Sequence, residues 1–432
     1  MSQAFYTEDA KLEPYWWEVS PRQPLPEVAL PRHADAAIVG AGYAGLRAAL
    51  TLARAGRSVV VLEAGDVFAG ASTRNGGHVG GQVKVPFSEL IRRVGLAQAV
   101  IIYTEGRMAL NHVAEIIDAE QISCQFARVG RFVAARTRRD YAALRREADL
   151  MHEHLGIESE LVPRAEQHRH IGTDFYQGGL IRHEVAGLQP ALFHRGLLDT
   201  VLRAGVLVAE HMPVTGIRSE EDGFVVSTNH STVRARDVIV ATNGYTGVVT
   251  PSLRRRIIPI RSQIIATEPL SRGTIDRLIP HRRMVVDTSR LHHYYRPSPD
   301  GSRLLFGGRA GAHETDPRRS GVHLYRSMTR IFPELNGVRI THAWSGLTGY
   351  TFDQLPHLGT YQGIHYVLGF CGGGVPFAPY LGHKIALRVL GHDAARTAFE
   401  DQGFSTRPLY YGNPWFMPPL LRYYQLLDRI GV

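Results

Sequence analysis

Gly40, Gly42 and Gly45 stand in the run Ile38-Val-Gly-Ala-Gly-Tyr-Ala-Gly45, and Glu63 closes the apolar run Ser58-Val-Val-Val-Leu-Glu63. Residue types at this spacing suit a dinucleotide diphosphate. Gly40 permits a tight turn, Gly42 lets the backbone approach the pyrophosphate, and Gly45 lets a helix pack closely on its strand. Tyr43 and Ala44 open that helix, whose free N–H groups and positive dipole end suit phosphates. Glu63, with Ala64 beside it, lies about 20 residues on, where a carboxylate can accept the ribose hydroxyls of an unphosphorylated adenosine. The chemistry requires a strand at Ala36–Val39, a helix to about Ala55, a stop at Gly56 and a second strand ending in Glu63. The chain supplies them in that order.

A second segment, Gly70-Ala-Ser-Thr-Arg-Asn-Gly-Gly77, combines small residues, the Ser72 and Thr73 hydroxyls, Arg74, Asn75 and the Gly76-Gly77 pair. Backbone and hydroxyls suit a pyrophosphate, and two glycines let the chain pass a flat ring, which is the chemistry of a flavin. His78 follows directly and is a candidate for substrate contact or proton exchange. Near the other end, Gly369-Phe-Cys-Gly-Gly-Gly-Val375 precedes an expected helix at roughly Pro379–Val389. Gly372, Gly373, Gly374 and Val375 would bring its N-terminal dipole to the flavin N1–C2=O edge, where the reduced ring carries negative charge.

The positioning elements follow from the pattern of apolar residues. Residues 1–32 read as a polar, proline-punctuated leader pinned by Trp16 and Trp17. Residues 33–87, 185–252 and 343–395 read as three segments of a nucleotide domain. Residues 88–184 (largely helical) and 253–342 (β-rich) read as two segments of a substrate domain, and 396–432 as an amphipathic tail. Expected strands include Gly130–Ala135, Gly223–Thr228, Ser231–Ala235, Val238–Ala241, Ile257–Glu268, Met284–Asp287, His293–Pro297 and Arg303–Gly307. The fold class is therefore α/β, a doubly wound Rossmann-like domain with an interleaved β-rich α+β substrate domain.

The 432 residues, 44% hydrophobic and 21% charged, are enough for two packed domains. Cys124 and Cys371 make no disulfide framework, and no Cys/His spacing suggests a metal site. No run is long and apolar enough to span a bilayer, and Met1–Tyr15 lacks an apolar signal core, so a cytoplasmic location is expected. The net charge of +9 is spread over arginines, the only lysines being Lys11, Lys84 and Lys384. Without a clustered basic and aromatic patch, a nucleic-acid partner is not expected, although a basic nucleic-acid-binding flavoprotein is the alternative outside enzymes.

The glycine motif with Glu63, the Ala71-Ser-Thr-Arg-Asn-Gly-Gly77 element, Val238-Ile-Val-Ala-Thr-Asn-Gly-Tyr245, the Trp344-x-Gly346…Asp353…Pro356…Gly359 stretch and the final glycine run together resemble the D-amino-acid-oxidase-type FAD-dependent oxidoreductases. Ser72–Gly77 and Ile264–Leu270 are most similar to the gamma-glutamylputrescine oxidoreductase branch. The resemblance spans roughly residues 33–392. It implies FAD as cofactor and hydride transfer from an amine-bearing carbon. It also implies FAD contacts from Gly40, Gly42, Gly45, Glu63, Ser72, Arg74, Asn75 and Gly76. Val214 would meet adenine through its backbone, Ala241 lies in a matching strand, and Gly346 and Gly372–Gly374 would border the isoalloxazine.

One departure bears on the substrate. Members acting on small α-amino acids carry arginine two residues after the glycine of the W-x-G motif, as a fork for the substrate carboxylate. Here that position is Thr348, which argues for an amine without an adjacent carboxylate. Sarcosine-oxidase-like members use a lysine near the flavin for oxygen; the comparable strand, Arg303–Gly307, has none. An aromatic wall would desolvate an ammonium and lower its pKa, delivering the neutral amine that hydride transfer needs. The catalytic candidates are therefore His78, Tyr294, Tyr295, Arg296 and Trp344, with His293 considered beside them. In a strand, Tyr294 and Tyr295 must face opposite sides. The expected function is FAD-dependent oxidation of a primary or secondary amine, polyamine-derived or acylated, with oxygen or another acceptor. The alternatives are a D-amino-acid dehydrogenase or oxidase and a flavin monooxygenase.

Overall fold

A computed structural model describes residues 5–309, 316–400 and 403–430. The first four residues of the expected leader and parts of the expected tail lie outside the described residues. Ala36–Val39 is apolar on both faces, as a strand covered on both sides requires. It belongs to His33–Val39, at the centre of an eight-stranded sheet. Thr232–Val240, His33–Val39, Val59–Leu62 and Leu207–Ala209 run parallel in that order, and Ile364–Leu368 pairs in parallel with Thr232–Val240. The helices Tyr43–Arg54, Pro190–Arg203 and Gly374–Val389 bury their apolar faces against this sheet and one another. The first and last approach so closely that a Cβ on Gly382 would lie 2.3 Å from the Ala44 carbonyl oxygen.

A nine-stranded sheet forms the second layer. Its order is Tyr6–Lys11, Ile340–Tyr350, Ile258–Thr267, Leu304–Gly308, Tyr294–Pro297, Met284–Asp287, Arg131–Ala134, Gly178–Arg182 and Ser159–Pro163. Residues of period two separate its faces. Phe132, Ile181, Val285, Tyr295 and Phe306 pack into one core with the helix Pro317–Ile331, while their neighbours Arg131, Arg182, Val286 and Tyr294 face a cavity.

Several expectations are corrected in detail. The two strands expected at 231–235 and 238–241 are one strand, Thr232–Val240, because the polar Arg234 and Arg236 project from alternate positions of a continuous run. The helix expected at Pro379–Val389 begins at Gly374, ahead of Pro379, because a proline near a helix start removes a single internal hydrogen bond. The leader contains a strand, Tyr6–Lys11, paired in parallel with Ile340–Tyr350. That strand runs across the boundary expected at 342/343, so Trp344 and Gly346 are sheet residues.

Candidate active site

The glycine turn is closed by side chains that sequence spacing had singled out. Ser72 Oγ accepts the Tyr43 N–H at 3.0 Å, and a Cβ on Gly42 would lie 3.1 Å from that oxygen. A Cβ on Gly45 would fall 1.9 Å from the Gly40 carbonyl oxygen, which only glycine avoids. Gly40, at φ +105°, packs under Ala241. Glu63 accepts hydrogen bonds from the Ala41 N–H at 2.9 Å and the Gly65 N–H at 3.3 Å, and burial pushes its carboxyl above the usual range. Ala64 beside it is exposed, and Val214 opens a half-buried strand. The helix Tyr43–Arg54 has no side-chain cap. Ser72 holds the first N–H of this helix, and the N–H groups behind it, over a cradle with no room for a Cβ, have the form a diphosphate requires.

The second segment is a braced loop. Asn75 donates to the Ala71 and Ser72 carbonyls and accepts the Gly77 N–H. Thr73 donates to the Phe68 carbonyl. Arg74 reaches the Ala69 and Ser345 carbonyls and stacks on Trp17. Two buried tryptophans hold consecutive carbonyls from behind: Trp344 Nε1 donates to Arg74 at 2.9 Å and Trp16 Nε1 to Asn75 at 2.8 Å. Arg296 donates to the Gly77 and Leu188 carbonyls.

Between loop and sheet lies a cavity of about 630 Å³. One end is lined by Arg74, Asn75, Gly76, Gly346, Gly372 and Gly373. The helix Gly374–Val389 starts there, without a side-chain cap. Tyr294 lies across the middle, its ring wedged where a Cβ on Gly76 or Gly307 would be 3.1 Å or 2.3 Å away. Its hydroxyl is 2.9 Å from Ser262 Oγ, and burial pushes its pKa up to about 12. His78 meets the Tyr294 ring edge-on; burial, with Arg131 and Arg296 near, holds its pKa well below the usual value. His78 Nε2 is buried without a partner. Cys371 sits at φ +50° on the wall, its thiol pushed up to about 12 by burial.

The structure separates the catalytic candidates. His78 and Tyr294 line the cavity. Tyr295 does not: it is on the other face, bonded to Tyr176 and stacked on Phe306. His293 is turned to Asp287, at 2.8 Å. Arg296 and Trp344 are fully buried behind the loop and act on its position. Other residues of the cavity escape a reading of motifs: Lys84, Arg131, Arg182, His292, Arg309 and Tyr350. In Arg131-Phe-Val-Ala134 the inward Phe132 and Ala134 leave Arg131 and Val133 together on the cavity side, a signal present in the alternation. The strand Arg303–Gly307 carries no lysine, but Lys84 reaches the cavity from a segment distant in sequence. It is exposed to the cavity and surrounded by protein; desolvation, then Arg309, lower its pKa to about 8.

A parallel sheet of the nucleotide-binding kind, a glycine cradle ending in Glu63 and a braced loop bordering a cavity on a second sheet define a flavin-dependent oxidoreductase. The family model "DAO: FAD dependent oxidoreductase" matches residues 35–388, and the chain belongs to this family. It is 32% identical to gamma-glutamylputrescine oxidoreductase of Escherichia coli over 92% of this chain and 93% of the relative. It is equally identical to the probable oxidoreductase OrdL of Haemophilus influenzae, over 94% of each. The glycine oxidase structure from Geobacillus kaustophilus superposes with a TM-score of 0.73 at 21% identity, covering 88% of this chain and 99% of that one. Among the described residues, no helix is long and apolar enough to cross a membrane.

Proposed function

We infer that the protein oxidises an amine lacking an adjacent carboxylate. The observation that carries this reading is Thr348. It lies on the cavity wall, opposite Ile260 in the sheet, where a fork for an α-carboxylate would need an arginine. The 32% identity to a gamma-glutamylputrescine oxidoreductase over most of both chains supports it. Gly40, Gly42, Tyr43, Gly45, Glu63, Ser72, Asn75 and Gly76 are assigned to FAD, with Gly346 and Gly372–Gly374 beside the isoalloxazine.

Bound FAD supplies the acceptor: a hydride leaves the amine-bearing carbon, the nitrogen loses its proton, and water hydrolyses the imine to a carbonyl compound and ammonia or a smaller amine. The chain's own residues prepare the amine. Tyr294, Tyr350 and Val375 make a wall that disfavours a charged nitrogen, and nearby cations disfavour it further. The proton that binding sheds goes to solvent, because burial with Arg131 and Arg296 nearby keeps His78 neutral. Tyr294 stays protonated at neutral pH and holds the amine as a donor or acceptor fixed by Ser262.

The test is anaerobic mixing of the FAD-loaded enzyme with diamines, N-acylated diamines, glycine and D-alanine, following the flavin visible band. Bleaching by amines and by neither amino acid is expected. Bleaching by glycine or D-alanine alone would overturn the reading. Admission of air then sorts oxidase from dehydrogenase by the rate at which colour returns.

A further inference from the structure

The far end of the cavity carries positive charge that the reaction above does not use. Arg131 and Arg182 are directly opposite one another in an antiparallel pair, so both side chains share the cavity face. Like charges in that register are destabilising. Lys84 joins them from the segment after the flavin loop, with Arg309 beyond it. The two carboxylates of the cavity are otherwise engaged. Glu147 receives the Phe87 and Ser88 N–H groups, and Asp287 receives His293 and the Ser289 N–H. Among the described residues no carboxylate forms an ion pair with Lys84, Arg131 or Arg182. Arg131 Nε is shielded from water with no hydrogen-bond partner, a costly state unless something else pairs with the guanidinium.

We propose that Lys84, Arg131 and Arg182 form a carboxylate site, and that the substrate is an amine whose anionic group lies several atoms from the oxidised carbon. This rests on the amine reading above and specifies its substrate. The separation follows from the sheet. The strand of Arg131 is two places from that of Tyr294, which sets them roughly 10 Å apart along the face. An α-carboxylate is one bond from the reacting carbon and cannot reach both ends. A carboxylate on an extended chain can, and it supplies the counter-charge that Arg131 lacks and that Arg182 draws only from Glu147. Thr348 is then no loss: the anchoring charge has moved along the sheet.

The probes are hexanoate and hexanamide, equal in shape and different in charge, titrated into the oxidised enzyme while the flavin band is monitored. Hexanoate should bind at least about tenfold more tightly than hexanamide. Lys84→Gln and Arg131→Gln should abolish that preference and leave hexanamide affinity unchanged, and Lys84→Arg should restore it. In turnover, 6-aminohexanoate should outcompete 1-aminohexane through KM. Equal binding of acid and amide, or a preference untouched by both variants, would overturn the site. So would variants that shift the flavin midpoint potential without altering hexanoate binding, since the cations would then serve the reduced ring. If no amine bleaches the flavin while hexanoate still binds selectively, the amine reading fails and the anion site stands.

Discussion

Lys84 gives the carboxylate site a pH signature. Its ammonium faces Arg309, Arg131 and His292, which disfavour or do not share its charge, and Cys371, whose thiol stays neutral to about 12. With a pKa near 8 the free enzyme holds Lys84 charged below that value and neutral above it. A bound carboxylate favours the charged form, so hexanoate affinity should be constant below pH 8. It should then fall by up to about tenfold per unit until the raised pKa of the complex is passed. Hexanoate itself is ionised throughout, and Lys84→Gln should flatten the profile. A titration of the flavin band from pH 6.5 to 9.5, read as roughly three units, is the measurement. Gly45 makes a simpler point at the same scale. A Cβ there meets a backbone oxygen at 1.9 Å, which no side-chain rotation relieves. Gly45→Ala should purify without FAD and lose about 3 kcal/mol by denaturant unfolding.

The loop Gly70–Gly77, assigned above to the flavin, is positioned by elements far away in sequence. Trp16, in the short helix Trp16–Val19, and Trp344, in the strand Ile340–Tyr350, meet edge to face and each supply one N–H to adjacent loop carbonyls. Trp16→Phe keeps most of the packing and removes one buried donor, leaving the Asn75 carbonyl unpaired. FAD dissociation, followed by ultrafiltration and absorbance, should become about five- to tenfold easier, equivalent to about 1 kcal/mol. This arrangement also shows what sequence could and could not disclose. The strand, turn, helix and Glu63 were legible because their chemistry is local: glycine positions, a free helix end and a carboxylate within one crossover. The loop at Gly70–Gly77 was legible for the same reason. The strand Tyr6–Lys11 was not, because Tyr-Thr-Glu-Asp-Ala-Lys has little apolar pattern and gains its place by pairing with a strand over 300 residues on. His78 and Tyr294 were named separately; their contact comes from the sheet.

At the scale of the whole molecule the cavity was the least legible feature, since its walls come from residues as distant as Lys84, Arg131, Arg182 and Arg309, brought together only by strand order. The tail belongs to the same assembly. The helix Met417–Ile430 sets Met417 and Leu421 against Leu291, with Ile260 at the edge of that cluster. Asp428 caps the loop before Tyr294, accepting the Arg290 N–H at 2.9 Å and the Leu291 N–H at 3.1 Å, while its own carbonyl accepts from Arg136. Thr288, Ser289, Arg290 and His292 of that loop line the cavity, so the last helix fixes one of its walls. Asp428→Ala removes two hydrogen bonds at a half-buried position and leaves the helix's apolar contacts in place. The loop should loosen without unfolding the protein. KM for the best amine should rise about three- to tenfold, the anaerobic bleaching rate at saturation should change less than twofold, and Tm should fall by about 2 °C. Asp428→Asn, which retains one acceptor, should recover part of the KM. A bleaching rate that falls in step with KM would show instead that the tail acts on the reacting groups themselves, through Tyr294, and not on the wall alone.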